Sequence, residues 1–135
     1  MKLYRAMTAD SDGLPLVRRS ARSLGVRTPA DIAPGVEPDV LVGAPDEVLR
    51  PDQGGMSAAP NDPANLPRNR RPPQVDGGIG KDPVWEIDAK DLGLALRYNQ
   101  DKPTHGTVEP AESMTFAQYE AALLATREKW SRVIG

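Results

Sequence analysis

The sequence predicts a small α+β fold, a compact single domain of short strands with a helix at its C-terminal end. Three observations predict it. The 135 residues suit one domain, at roughly 100–200 residues each. The apolar patterns are short and strand-like, without the regular strand–helix alternation of a doubly wound parallel sheet. Proline is spread unevenly: all 14 prolines fall between Pro15 and Pro110, which leaves the last stretch free to be helical.

Taken in order, Lys2–Met7 alternates like a strand, with Leu3, Arg5 and Met7 on one face and Tyr4 and Ala6 on the other. Leu14, Val17, Ala21 and Leu24 recur at helical spacing and stop at Gly25, which predicts a short helix. Pro38–Gly43 is a compact apolar run bounded by breakers. From about Pro60 to Asp82 the chain is polar and rich in proline and glycine, and it reads as an unpacked loop within the domain, functional or mobile. Val84–Ile87 alternates like a half-buried strand, and Leu94–Tyr98 and His105–Glu109 are two further strand candidates. Thr115 and Gln118 then form a capping box. Phe116, Tyr119, Leu123, Trp130 and Ile134 follow at three- to four-residue steps, which predicts a helix reaching the end of the chain.

Composition removes several functions. Seventeen basic and nineteen acidic residues give a net charge of -2, so neither a globally basic nucleic-acid binder nor an acidic tail is expected. With no cysteine there is no disulfide, thiolate metal site or cysteine nucleophile. A single histidine excludes a His-pair metal centre, and the aspartates form no tight cluster for a hard cation. No apolar run approaches the ~18–20 residues that span a bilayer, and no apolar segment behind Met1–Arg5 reads as a signal peptide. The expected localisation is cytoplasmic, with no membrane partner.

Three segments carry candidate chemistry. Arg5 sits inside a predicted strand, either as an edge-strand arginine in water or as a cleft-facing guanidinium that grips phosphate in a fork. In Pro51–Ser57, Gly54 and Gly55 allow close backbone approach to a ligand and Ser57 places a small hydroxyl on the strand that follows; the same residues also suit a plain turn. In His105–Glu109, strand geometry projects His105, Thr107 and Glu109 from one face, which is either a solvated surface or a site.

In this order, Leu3-Tyr4-Arg5-Ala6, Pro38-Asp39-Val40, Pro51–Ser57, Tyr98-Asn99, His105–Met114 and the terminal helix resemble the ADP-ribosyltransferase-like toxin family typified by type VI secretion effectors. The resemblance implies split β-sheets around an NAD cleft, a toxin acting on an intracellular macromolecule (protein or nucleic acid), and a cognate immunity or antitoxin protein. Residue by residue, it implies Arg5 as the anchor for the dinucleotide and Ser57 as the orienting hydroxyl. Glu109 or His105 is then the group at the reacting ribose. Relatives can carry a second hydroxyl immediately before the serine, where this chain has Met56. The wider fold favours a carboxylate at the end of the set, whereas the toxin relatives favour the histidine. Tyr4 and Tyr98 become candidates to stack on nicotinamide, as alternatives to plain core, and Gly54 and Gly55 would admit the dinucleotide.

Cleaving the nicotinamide–ribose bond passes through an oxocarbenium-like transition state, so groups at the ribose must strengthen as charge develops. NAD glycohydrolase activity and a non-enzymatic interaction module on the same fold are the alternatives. Arg68, Arg70 and Arg71, within the 60–82 loop, are either solvated or an arm that recognises the acceptor.

Overall fold

Alternating apolar and polar side chains fold this chain into eight short strands and one α-helix, and the computed structural model describes residues 1–135. The strands are β1 (Lys2–Ala6), β2 (Val48–Leu49), β3 (Met56–Pro60), β4 (Val84–Asp88), β5 (Leu96–Lys102), β6 (His105–Pro110), β7 (Met114–Thr115) and β8 (Ser131–Ile134). Six form one antiparallel sheet in the order β5-β6-β3-β1-β4-β8, and β2 and β7 pair separately. Two sheets and one α-helix (α1, Phe116–Ala125), without strand–helix alternation, make the α+β fold that the sequence predicts.

One face of the large sheet buries Leu3, Met7, Met56, Ala58, Trp85, Ile87, Leu96 and Val108 against Phe116, Tyr119 and Leu123 of α1. The opposite face carries a smaller cluster of Tyr4, Ala59, Leu66 and Val84. Between the two halves of the sheet the ladder is short. β1 and β3 pair only at Leu3–Pro60 and Tyr4–Ala59. Past that point Arg5 stands between the strands, and the sheet opens into a β5-β6-β3 wing and a β1-β4-β8 wing.

α1 starts as expected, with the Thr115–Gln118 capping box in place. It ends early. The Thr126 hydroxyl donates to the Leu123 carbonyl at 2.7 Å and accepts from Trp130 Nε1 at 3.1 Å, which turns the chain off the helix axis. A 3-10 turn follows at Arg127–Lys129, and the chain continues as β8 along the free edge of β4. Trp130 and Ile134 therefore leave the predicted helical stripe. A β-branched tail beside an open sheet edge gains ladder bonds that a longer surface helix would forgo.

The helix expected at Leu14–Leu24 does not form. Thr8, Leu16 and Leu24 pair their backbones with one another and with Arg22, so the segment folds back on itself. At Gly25 a Cβ would lie 2.0 Å from the Arg18 carbonyl oxygen, and only glycine allows that approach. Arg127 fastens this segment to the 3-10 turn through Asp10, Asp12 and the Pro15 carbonyl, and Arg19 fastens it to α1 through Glu120.

The 60–82 loop packs, contrary to expectation. Leu66 is buried in the smaller cluster, and the two arms of the loop are joined by Ile79 N–H to Arg68 O at 3.0 Å and Gly80 N–H to Arg71 O at 2.6 Å. A Cβ on Gly78 would meet the Arg71 carbonyl oxygen at 2.1 Å, so the arms lie closer than any other residue permits. No helix is long and apolar enough to cross a membrane.

Candidate active site

The opening between the wings is organised by Arg5, whose side chain is buried. Its Nε donates to the Ser23 carbonyl at 3.0 Å. Nη1 donates to the Ser57 carbonyl at 2.8 Å and Ser57 Oγ at 3.1 Å, and Nη2 to the carbonyls of Ser20 and Gly25 at 3.3 and 3.4 Å. A guanidinium has five N–H donors, and all five are engaged by the protein. No carboxylate pairs with it. Burial pulls it down to about 10, with Asp39 opposing and Arg70 and Arg27 adding to the fall, so it stays charged at neutral pH. Arg5 thus welds the 20–25 segment to β3 and fixes Ser57.

Ser57 stands opposite Thr107 across the β3–β6 ladder, which puts it on the same sheet face as His105, two residues along β6. His105 Nδ1 lies 2.7 Å from Asp101 Oδ1. The Asp101 carboxyl sits below its ordinary value, chiefly through that hydrogen bond, and is therefore an ionised acceptor at neutral pH. An ionised carboxylate can only accept, so Nδ1 carries the proton and Nε2 is the nitrogen left for chemistry. A β-bulge produces the pair: the β5–β6 register slips between Gln100 and Lys102, so Asp101 and Lys102 both oppose His105. The residue types alone do not reveal a bulge, and Asp101 was missed in the sequence for that reason.

Around these residues lies a cavity of about 220 Å³. Arg5, Ser57 and His105 line it, together with Arg27, Arg70, Thr104 and an apolar patch that includes Ala59, Leu66 and Pro67. Three arginines and no acidic residue line it, in a chain of net charge -2. Arg27 is already paired with Asp39 in a two-pronged contact at 3.0 and 3.1 Å.

Glu109 lies elsewhere on the same sheet face. It is fully buried and does not line the cavity. Its Oε1 accepts from Arg97 Nη2 at 2.9 Å, Arg97 Nε at 3.1 Å and the Asp52 amide at 3.1 Å, while Oε2 accepts from Asn99 Nδ2 and Thr107 Oγ1, each at 3.3 Å. This network ties β5, β6 and the turn before β3 together. Tyr4 belongs to the smaller cluster and is pushed up to about 12, mainly by burial and then by Glu86. The Tyr98 hydroxyl donates to the Ala58 carbonyl at 2.8 Å, and its ring covers Gly106, where a Cβ would come within 2.4 Å. Neither tyrosine lines the cavity.

The two glycines serve the fold directly. A Cβ on Gly54 would stand 2.2 Å from the Asp39 carbonyl oxygen, and one on Gly55 2.2 Å from that of Val108. The room they leave is filled by protein backbone. The arginine triplet of the loop divides: Arg70 lines the cavity, Arg71 Nη1 donates to the Leu66 carbonyl at 2.9 Å, and Arg68 makes no side-chain contact of this kind. No group of three or more His, Asp or Glu side chains could hold a metal ion.

The model of the Tse2 ADP-ribosyltransferase toxin family matches residues 1–131 of the 135. The chain belongs to that family. No curated protein matches the sequence. The Tse2-family match spans every residue that lines the cavity. ADP-ribosyltransferases use NAD as substrate, and the lining suits part of it. The cationic, acid-free wall complements a pyrophosphate, and the Ala59–Leu66–Pro67 patch offers an apolar surface to a ring. At about 220 Å³ the cavity is below the ~300–1,000 Å³ of whole-ligand sites, so it has room for a portion of the dinucleotide.

Proposed function

We propose that this chain cleaves the nicotinamide–ribose bond of NAD at the cavity between the wings and transfers ADP-ribose to an intracellular macromolecule. The observation that carries the reading is the assembly of Ser57, His105 and an unpaired arginine around one acid-free cavity in a member of an ADP-ribosyltransferase toxin family. In this reading the C–N bond breaks with its electron pair leaving on the nicotinamide nitrogen, which quenches the pyridinium charge. The acceptor's oxygen or nitrogen forms the new bond to the ribose carbon and gives up a proton. His105 Nε2, the ring nitrogen not engaged by Asp101, takes that proton or hydrogen-bonds the ribose. Ser57 Oγ, with Arg5 donating to it, is left to accept or donate at the sugar.

Asp101 acts through His105, and Glu109 holds the strands that carry the site; both are positioning residues here. An immunity or antitoxin protein that neutralises the toxin belongs to the same proposal. The experiment is transfer of label from adenine-labelled NAD to macromolecules of a cell lysate. Incorporation that requires the protein is expected. Nicotinamide release without incorporation would replace the transferase with a glycohydrolase, and the absence of both release and incorporation would overturn catalysis altogether.

A further inference from the structure

We propose that Arg70, rather than Arg5, is the side chain that binds the phosphate groups of the substrate, and that the 60–82 loop holds it in place for that purpose. This rests on the reading of the cavity as the NAD site. Of the three arginines that line the cavity, two are already committed. Arg5 has all five donors on protein acceptors, and Arg27 is forked onto Asp39. Arg70 makes no side-chain hydrogen bond or ion pair anywhere in the chain, although it is partly buried. Its charge is close enough to weigh on the Arg5 guanidinium. Arg70 is a partly buried cation whose donors have no partner in the chain: the Asp82 carboxylate feels its charge but is bonded to Arg22 and Thr8. An anionic ligand would supply that partner, and a planar guanidinium with its fork intact matches a phosphate in two parallel hydrogen bonds.

The loop is built to present this side chain rather than to let it drift. The Arg70 amide donates to the Pro67 carbonyl at 2.8 Å, and the backbone carbonyl carbon of Arg70 is so close to Gly80 that a Cβ there would lie at 2.7 Å. The Ile79–Arg68 and Gly80–Arg71 bonds close the loop on both sides of it. Arg71 is drawn inward to the Leu66 carbonyl and Arg68 lies off the cavity, so one arginine of the triplet remains for the ligand. A site fixed in this way binds without first ordering a loop.

The test titrates ADP-ribose, which carries the pyrophosphate, and nicotinamide riboside, which carries none, into wild type and the Arg70→Ala, Arg70→Lys and Arg68→Ala variants by calorimetry. Arg70→Ala should weaken ADP-ribose binding by about ten-fold or more, equivalent to about 1.4 kcal/mol. Its nicotinamide riboside affinity and melting temperature should not change, since the side chain makes no bond within the chain. Arg70→Lys should recover the loss only in part, and Arg68→Ala should bind like wild type. The weakening should shrink as salt is added. ADP-ribose binding unchanged in Arg70→Ala, or an equal loss for both ligands, would overturn the assignment while leaving the cavity reading intact. Failure of the wild-type protein to bind ADP-ribose would overturn the cavity reading and this proposal with it.

Discussion

Arg5 and Ser57 touch each other yet should fail in opposite ways when changed. Replacing Arg5 with alanine removes a donor from the buried Ser23 carbonyl and from the half-buried carbonyls of Ser20, Gly25 and Ser57. A loss of about 1–3 kcal/mol of stability or more is expected, the cost of leaving a buried polar group unsatisfied. Lysine, with three donors and no fork, should not rescue it. Ser57→Ala removes only the 3.1 Å contact to Oγ, while the Ser57 carbonyl still accepts from the same guanidinium at 2.8 Å. Its melting temperature should hold and its turnover should fall more than about ten-fold, or about 1.4 kcal/mol of barrier. Thermal denaturation alongside NAD turnover separates the two. An Arg5→Ala protein as stable as wild type would contradict the structural role given to that guanidinium. At this scale the sequence could single out Arg5, Ser57 and His105 as candidates, because strand position and neighbouring glycines are local properties. It could not show what their atoms bond to. The sharing of Arg5's five donors among segments up to 52 residues away is a long-range fact that only the folded chain contains.

Between elements, Tyr119 couples α1 to β3 and β6. Its hydroxyl donates to the Val108 carbonyl and accepts from the Met56 amide at 3.0 Å, standing where β3 and β6 would otherwise bond directly. Burial raises its hydroxyl well above the ordinary tyrosine value, so it remains a donor throughout the physiological range. Tyr119→Phe should strand a buried amide and carbonyl together, at about 1–3 kcal/mol in urea denaturation. A second coupling is acid-sensitive. Asp82, at the end of the 60–82 loop, is held below its usual 3.8, first by its hydrogen bond from Arg22 and also by that from Thr8. A carboxylate depressed in the folded state stabilises fully above its unfolded value and loses that contribution as pH falls through the folded one. Stability from this contact should therefore be constant from pH 7 to near pH 4 and decline below it, with Asp82→Asn flattening that part of the profile.

Elements with local signals were legible: the alternation of β1, β4 and β6, and the capping box of α1. β8 was not, because Trp130 and Ile134 also satisfy helical spacing, and only the vacant edge of β4 decides between the two. The Leu14–Leu24 helix was misread for a related reason. Its spacing is real, but the backbone is claimed by Thr8, Leu16 and Arg5. The packing of the 60–82 loop depends on glycines meeting carbonyls across the loop, which composition reads as flexibility.

For the whole molecule, the sheet that opens at Arg5 is what turns a small α+β fold into an enzyme candidate. The opening brings β1, β3, the β5–β6 hairpin and the 60–82 loop to one cavity, and it leaves Glu109 in a separate, saturated network. The sequence left Glu109 and His105 as rivals for the reacting ribose, since both project from one face of β6. His105 lines the cavity and is bonded to Asp101, whereas Glu109 does not line it, and the proposed function therefore puts His105 at the ribose. The most direct measurement is nicotinamide release from NAD by wild type, His105→Ala and Glu109→Gln, each held below its own melting temperature, with and without cell lysate. Wild type should release nicotinamide. His105→Ala should lose about 100-fold or more, some 2.7 kcal/mol of barrier, whereas Glu109→Gln should turn over close to wild type while melting lower. Wild-type protein that releases none under either condition, or a Glu109→Gln variant that is inactive beside an active His105→Ala, would contradict the account.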